Sequence, residues 1–227
     1  MVTIYSVLRG GGVYDEDDVY NLMRHIDENT TLDYAFECIS DVGSVSTMPI
    51  ELGLPKWWTK IELFKNTGPS IFLDLDTAIF KNIDELIKWA ESASSSILML
   101  KPFHKKRRPR YGINDHASGV MAWSGDFSYI YTEFIESDML LKGDQIYIEK
   151  KLKEHGADLG YVNEVVDGIR SYKWHCRKMI PEDTSICCFH GNPRPRKVGY
   201  PFWVDPRYLD QYKKELTTKR QNSIRRV

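Results

Sequence analysis

The sequence has no long apolar run and few cysteines. No run approaches the roughly 20 residues that a bilayer-spanning helix needs, and Met1 to Tyr5 does not start a signal-peptide pattern. The four cysteines (Cys38, Cys176, Cys187 and Cys188) have no zinc-site spacing, and two of them are adjacent in an apolar segment. We therefore expect buried free thiols and a cytoplasmic protein.

The sequence also lacks internal repeats, an interdomain linker and a dinucleotide-binding fingerprint. Three consecutive glycines follow the first predicted strand, but the G-x-G-x-x-G spacing is missing. A chain of 227 residues with ordinary composition can bury one large core. We predict one domain over residues 1–205 and a basic tail over residues 206–227.

Acidic and basic residues are concentrated in different segments of the chain. The net charge of −1 hides an acidic stretch at 15–41 and basic stretches at 101–110 and 213–226. Such segregation fits either a polyanionic partner or plain solvated faces. The loop at 101–111 carries two prolines and mixes basic with aromatic residues, which suits an anionic polymer. The candidate contacts are Lys101, Lys105, Lys106, Arg107, Arg108 and Arg110.

Predicted strands and helices alternate along the chain. Apolar patterns predict strands at 3–8, 33–40, 97–100, 118–124 and 186–189, and a central strand that begins at 71 and should end at the Asp74 and Asp76 pair within the run 71–80. Helical spacing appears at 16–29, 83–90, 127–140 and 143–153. The order predicts an α/β fold with a largely parallel sheet. The last fifteen residues are polar and basic, so we expect disorder or ordering by a partner.

Two carboxylates interrupt the predicted central strand. Asp74 and Asp76 lie in the apolar run from Ile71 to Phe80, and neighbours at i and i+2 point the same way from an extended chain. Paired carboxylates beside an apolar core need positive charge, and a divalent cation holding phosphate oxygens supplies it. The alternative is one helix cap and one salt bridge. The strand's carboxyl end is where open α/β sheets place ligands, so this is the predicted active-site centre.

Other polar residues lie near predicted strand ends. Arg9 and Gly10 suit a diphosphate or base, although a tight turn explains them equally well. Lys60 precedes the central strand and could reach a phosphate, while His190 leaves the last strand and could complete a metal site. Asp144 and Gln145 open a predicted helix, either as a cap or facing a sugar.

Four segments in order resemble family 8 of the GT-A-fold glycosyltransferases, the group of glycogenin and the lipopolysaccharide galactosyltransferases. The family pattern is D-x-D, N-[AS]-G-V-M, D-Q and H-x-x-G-x-x-K-P-W, with T-K-L before the first. The matching segments here are 74–76, 116–121, 144–145 and 190–197, with 59–61 before them. Two departures stand out: His190 and Gly191 are adjacent, and Lys197 lacks the following Pro-Trp.

The resemblance implies a GT-A fold, the nucleotide-diphospho-sugar transferase fold, with a Rossmann-like mixed sheet flanked by helices. It implies transfer of a sugar from a nucleotide-sugar, most often a UDP-sugar, with Mn²⁺ or Mg²⁺ and retention of configuration. The implied metal ligands are Asp74, Asp76 and His190, and the residues facing the sugar are Asp144 and Gln145. The implied donor-binding residues are Val7, Leu8, Arg9, Gly10, Lys60, Asp74, Gly191 and Lys197.

Two other functions remain open on the sequence. An apolar run followed by D-x-D is also found at the first strand of haloacid dehalogenase-type phosphatases, where the first aspartate is the nucleophile and the second is an acid/base. A non-enzymatic polyanion-binding protein would explain the basic segments but not the buried carboxylates. A combined hypothesis is a glycosyltransferase with an anionic acceptor, such as hydroxymethylated pyrimidine in phage-type DNA or a surface glycan.

Overall fold

The structure is a computed structural model that describes residues 1–103, 115–141 and 143–224, with side chains described as far as residue 218. The strands are β1 Val2–Leu8, β2 Tyr34–Ser40, β3 Ser70–Leu73, β4 Thr77–Ile79, β5 Ser96–Leu100, β6 Ala117–Ser124, β7 Asp158–Tyr161, β8 Ile169–Ser171 and β9 Ile186–Cys188. The α-helices are α1 Glu16–Glu28, α2 Asp84–Ser92, α3 Tyr129–Thr132, α4 Asp144–Glu154, α5 Pro195–Val198 and α6 Pro206–Ile224.

A mixed sheet of six strands forms the centre, in the order β2-β1-β3-β6-β5-β7. Strand β1 pairs in parallel with both β2 and β3, and β5 pairs in parallel with β7, whereas β6 runs antiparallel to β3 and β5. A smaller sheet, β4-β9-β8, continues from the end of β3. The α/β fold with a mixed sheet and flanking helices is confirmed, with β6 accounting for the antiparallel share.

Both faces of the central sheet are covered, and the apolar strands alternate between the two cores. Ile4 and Ile71 belong to the core cluster beneath α1 and α2, while Tyr5 and Phe72 belong to the cluster on the opposite side, beneath α4. A strand buried on both faces is apolar at every position. This is why Ile71 to Leu73 of β3 are all apolar and why only Thr3 and Ser6 interrupt the apolar residues of β1.

The run at 71–80 is not one strand. Strand β3 ends at Leu73, a turn closed by the Thr77 amide donating to the Asp74 carbonyl (3.0 Å) follows, and β4 joins the second sheet. The predicted end of the strand at the carboxylate pair is therefore confirmed, and the apolar residues after the pair form a separate strand. The predicted helix at 127–140 is also divided, into α3 and a 3-10 segment at Glu136–Leu140.

Helix α6 covers Pro206–Ile224, whereas the sequence predicted disorder or ordering by a partner for the last fifteen residues. Leu209 is fully buried, and Tyr212 and Leu216 pack on the core cluster beneath α1. The Tyr212 hydroxyl donates to Asp27 (2.6 Å) and the Lys213 ammonium lies 2.6 Å from Asp17. Apolar spacing along one face, joined to opposite charge on α1, accounts for this ordering.

All four cysteines are buried and free, as predicted. No helix in the described ranges combines the length and apolarity that crossing a bilayer requires.

Asp84 joins the start of α2 to the loop that follows α1. Its carboxylate accepts hydrogen bonds from the hydroxyls of Thr30 and Thr31 (both 2.6 Å), the Thr31 amide (2.9 Å) and the Asn82 side chain (2.9 Å). Burial alone would raise the pKa of Asp84, but these hydrogen bonds outweigh it and hold the pKa well below its usual range. The ionised carboxylate therefore stabilises the fold.

We predict that Asp84→Asn lowers the free energy of unfolding by about 2–4 kcal/mol near neutral pH, because an amide cannot accept all these donors. The folded-state pKa lies below the unfolded one, so the stabilisation is present above roughly pH 4 and is lost as pH falls further. Urea unfolding at neutral pH and near pH 3 measures both values. The exposed neighbour Glu85→Gln is the control, with an expected change under about 0.5 kcal/mol. A loss that is equal at the two pH values would contradict this account.

Candidate active site

Asp74 and Asp76 lie in the turn between the two sheets. The Asp74 amide donates to the Gly119 carbonyl of β6 (3.0 Å), and the Phe189 amide after β9 donates to the Asp76 carbonyl (2.9 Å). A Cβ at Gly119 would come 3.4 Å from the Asp74 carboxylate, so the glycine lets this side chain lie close against β6. Both carboxylates are thus fixed where the two sheets meet.

Lys60 is the buried cation of the site. It lies in the 3-10 segment Lys56–Lys65, with its ammonium 3.0 Å from Asp74 and 3.5 Å from Asp144 at the start of α4. The Ser118 hydroxyl of β6 donates to the same Asp144 oxygen (2.6 Å). The predicted residues Lys60, Asp74 and Asp144 therefore form one cluster, which Ser118 joins.

A second cation reaches Asp76. The Arg194 guanidinium lies 2.5 Å from Asp76 Oδ2, and the Tyr14 hydroxyl donates to the same oxygen (2.7 Å). Arg194 also contacts the Tyr14 hydroxyl, and its guanidinium carbon lies 4.8 Å from the centre of the Tyr14 ring. Asp76 thus joins the loop after β1 to the segment after β9.

Burial controls the protonation of this cluster. It raises the pKa of both Asp74 and Asp76, and for each the nearby cations oppose the rise. For Lys60, burial acts to lower the pKa, but Asp144 and Asp74 outweigh it and the pKa is raised. Among these residues, three carboxylates (Asp74, Asp76 and Asp144) face two cations (Lys60 and Arg194), so further positive charge is favourable.

The carboxylate pair fits a divalent cation by charge and by donor type. Mg²⁺ in phosphate-handling sites is commonly held by one or two carboxylates together with substrate phosphates. Asp74 keeps a third of its side chain accessible (33%), so a ligand can reach it. Within the described ranges, no group of three or more His, Cys, Asp or Glu could hold a metal by itself. A metal ion bound by Asp74 and Asp76 would therefore need further oxygen ligands from outside the chain, such as substrate phosphates.

His190, the third predicted ligand, makes other contacts. Its Nε2 lies 2.6 Å from the Ser171 hydroxyl of β8, its ring stacks on Phe103 at 5.8 Å, and its carbonyl accepts from Lys173. The adjacent Gly191 has a φ of +88°, and a Cβ there would come 3.0 Å from the Lys173 ammonium. A metal role for His190 stays a prediction.

The predicted nucleotide-binding segment lies at the end of β1, next to β3. In the structure Arg9 pairs with Asp41 (3.4 Å) and the Gly10 amide donates to the same carboxylate (2.6 Å). Val7 is half-buried and Leu8 is buried. The sheet order therefore brings Val7 to Gly10 beside the Asp74 turn, with Arg9 held by Asp41.

The remaining predicted residues lie at the edges of the site or outside it. Lys197 is exposed on α5, and Gln145 follows Asp144 on α4. The Lys101 ammonium lies 5.5 Å from the centre of the Tyr161 ring. The other basic candidates (Lys105, Lys106, Arg107, Arg108 and Arg110) fall outside the described residues.

Sequence reasoning missed Arg194, Tyr14 and Ser118. In the family pattern a lysine directly precedes the proline, and here Arg194 directly precedes Pro195. Aligning the chain on that proline therefore identifies Arg194, whereas counting residues from His190 leads to Lys197. Ser118 is in the recognised small-residue segment. No sequence signal marks Tyr14 beyond its place after the glycines.

Comparisons with known proteins identify the fold. No protein-family model and no curated protein matches the chain. Among solved structures, it is similar to the galactosyltransferase LgtC in complex with donor and acceptor sugar analogues (TM-score 0.54, 10% identity, 85% of this chain and 88% of that one). An active-site mutant of LgtC gives a TM-score of 0.57 at 11% identity, covering 94% of this chain and 95% of that one.

The glycosyltransferase GlyE of Streptococcus pneumoniae TIGR4 is similar at a TM-score of 0.59 and 9% identity, covering 93% of this chain and 59% of that one. At these identities the likeness establishes the fold. The chain has the GT-A glycosyltransferase fold, and the predicted fold class is confirmed.

We predict that Lys60→Met destabilises the protein by about 3–5 kcal/mol, because it leaves buried Asp144 and half-buried Asp74 without their shared cation. Adding Asp74→Asn should restore part of the loss, and a double-mutant cycle by urea unfolding measures the coupling. The exposed Lys88→Met, whose lysine pairs with Glu85, is the control, with an expected cost much smaller than that of Lys60→Met. Equal costs for Lys60→Met and Lys88→Met would show that the cluster does not depend on Lys60.

Proposed function

We propose that the protein is a metal-dependent glycosyltransferase that moves a sugar from a nucleotide-diphospho-sugar, with UDP-sugars the first candidates, to an acceptor hydroxyl. The observation that carries the proposal is the cluster of half-buried Asp74 with buried Asp76, Lys60 and Asp144, at the carboxyl end of β3 in a GT-A fold. The likeness to glycosyltransferases favours this function over the phosphatase that D-x-D also allows. The four buried free thiols support a cytoplasmic location.

The proposed donor would span the neighbouring ends of β1 and β3. The nucleoside would lie along Val7 to Gly10 and the diphosphate beside Asp74 and Asp76. Mn²⁺ or Mg²⁺, when bound by the two aspartates, supplies positive charge next to the leaving diphosphate. Lys60 lies behind Asp74, where it fixes the carboxylate and adds to the positive potential.

The reaction breaks the bond between the anomeric carbon and the diphosphate oxygen and forms one to the acceptor oxygen. The acceptor proton leaves with the diphosphate. Charge grows on the leaving group, so fixed cations beside it lower the barrier. Asp144, held by Ser118 and Lys60, would orient the transferred sugar together with Gln145. We propose retention of configuration on the family resemblance.

The proposed acceptor is anionic, as a hydroxymethylated pyrimidine in DNA or a phosphate-bearing surface glycan would be. The support is the basic composition of residues 101–110 beside the end of β5. Because phosphate contacts release counterions, acceptor binding should weaken steeply with added salt. A flat salt dependence would point to a neutral acceptor.

We predict that one nucleotide-sugar raises the melting temperature in the presence of Mn²⁺ and raises it much less without the metal, because a ligand that binds only the folded state stabilises it. Thermal shift and calorimetry over a panel of nucleotide-sugars measure the effect. Asp76→Asn should abolish the metal-dependent part, whereas Asp210→Asn, on the exposed side of α6, should keep it. If no nucleotide-sugar stabilises the protein with either metal, the transferase proposal is wrong.

We predict that Asp144→Asn lowers kcat for sugar transfer by roughly 10²-fold, while the affinity for the free nucleoside diphosphate changes little. The reason is that Asp144 faces the sugar rather than the diphosphate. Steady-state kinetics and calorimetry give the two values, with Asp158→Asn at the edge strand β7 as the control. A loss of diphosphate affinity that matches the loss of kcat would instead place Asp144 in the diphosphate site.

A further inference from the structure

Arg194 occupies the face of Asp76 that a metal ion would need. Its guanidinium and the Tyr14 hydroxyl both contact Asp76 Oδ2, at 2.5 and 2.7 Å. A divalent cation bound to that oxygen would lie in contact with the guanidinium. The two positive charges cannot share one oxygen at that distance without strong repulsion.

We propose that Arg194 competes with the metal for Asp76 in the donor-free protein and transfers to the diphosphate when metal and donor bind together. This inference rests on the proposed function, since it concerns the loading of the same site. The diphosphate supplies the negative charge that Arg194 gives up on leaving Asp76. A guanidinium suits this exchange, because its fork binds carboxylate and phosphate oxygens alike.

The two cations of the site differ in how freely they can move. The Lys60 side chain is only 7% exposed and contacts Asp74, Asp144 and Ser118. The Arg194 side chain is 28% exposed, and its described partners besides Asp76 are the hydroxyl and ring face of Tyr14. Arg194 immediately precedes the short helix α5, outside the two sheets. Lys60 is therefore a fixed part of the site, and Arg194 is the cation that can exchange.

The exchange makes metal binding depend on the donor. While Arg194 holds Asp76, only the fraction of molecules with a free carboxylate binds metal, and the apparent affinity falls by that fraction. The protein would then bind metal weakly when alone and more tightly with a nucleoside diphosphate. Metal and donor would load as a pair.

The test is calorimetric titration of Mn²⁺ into the donor-free protein. If Arg194 blocks Asp76 in about nine of ten molecules, Arg194→Gln should tighten Mn²⁺ binding by about tenfold. Arg196→Gln is the matched control: it removes the same charge two residues away, from an arginine paired with Asp15 and Asp18. Its effect on Mn²⁺ affinity should be small, which separates direct competition from a general change in charge.

A second titration locates the effect. In Arg194→Gln, adding Asp76→Asn should abolish the gain in Mn²⁺ affinity, and UDP should bind the Mn²⁺-loaded Arg194→Gln protein more weakly than the wild type. Circular dichroism and the melting temperature check folding. If Arg194→Gln does not fold, Arg194→Lys keeps the charge but lacks the fork that joins Asp76 to Tyr14, and it should shift Mn²⁺ affinity in the same direction.

Three outcomes overturn the inference. Equal Mn²⁺ affinity in the wild type and in Arg194→Gln, with binding abolished by Asp76→Asn, rejects the competition and leaves the proposed function intact. An equal gain in Arg196→Gln assigns the effect to overall charge. Absence of Mn²⁺ and nucleotide-sugar binding in every variant rejects the proposed function and this inference with it.

Discussion

The site depends on how three carboxylates can stay together at the junction of two sheets. Asp74 and Asp76 come from the turn after β3 and Asp144 from the start of α4; Asp76 and Asp144 are buried and Asp74 is half-buried, so each loses hydration. Lys60 makes the arrangement possible, because a single ammonium reaches both Asp74 and Asp144. A charge pair of this kind contributes little net stability against an apolar replacement but is costly to break. The presence of this charged cluster is therefore better explained by a function of its charges than by a contribution to the stability of the fold.

The second sheet positions Arg194, the cation that exchanges between Asp76 and the diphosphate in our proposal. Strand β9 pairs with β4 immediately after the Asp76 turn, and the Phe189 amide donates to the Asp76 carbonyl. The chain that leaves β9 therefore passes close to Asp76. Arg194 follows four residues after His190, near enough to contact the Asp76 carboxylate. Asp74, directly after β3, and Lys60, in the 3-10 segment before it, are the fixed charges, and the segment after β9 brings the cation that can exchange. The topology accounts for where these charges lie, and the greater exposure of Arg194 accounts for the difference in mobility.

The sequence predicted what local patterns determine. Apolar runs located most strands of the central sheet, whereas the short strands β7 and β8 have no such run and were missed. The carboxylate pair marked the predicted centre of the site because charge is conspicuous in an apolar run. Contacts set by the path of the chain were beyond reach: Arg194 lies 118 residues from Asp76, so only an alignment on Pro195 could have suggested it. The helix α6 was missed because its composition is polar, although Leu209, Tyr212 and Leu216 share one face that packs on the protein.

The structure also changes what the charge segregation means. Two basic residues neutralise the acidic start of α1: Lys213, the first of the basic stretch 213–226, pairs with Asp17, and Arg196 pairs with Asp15 and Asp18. A cation already paired within the protein gains less from an external phosphate, because it must first give up its carboxylate. The proposal of an anionic acceptor therefore rests on residues 101–110 rather than on Lys213 or Arg196. Those residues follow β5, a neighbour of β6, which supplies Ser118 and Gly119 to the site.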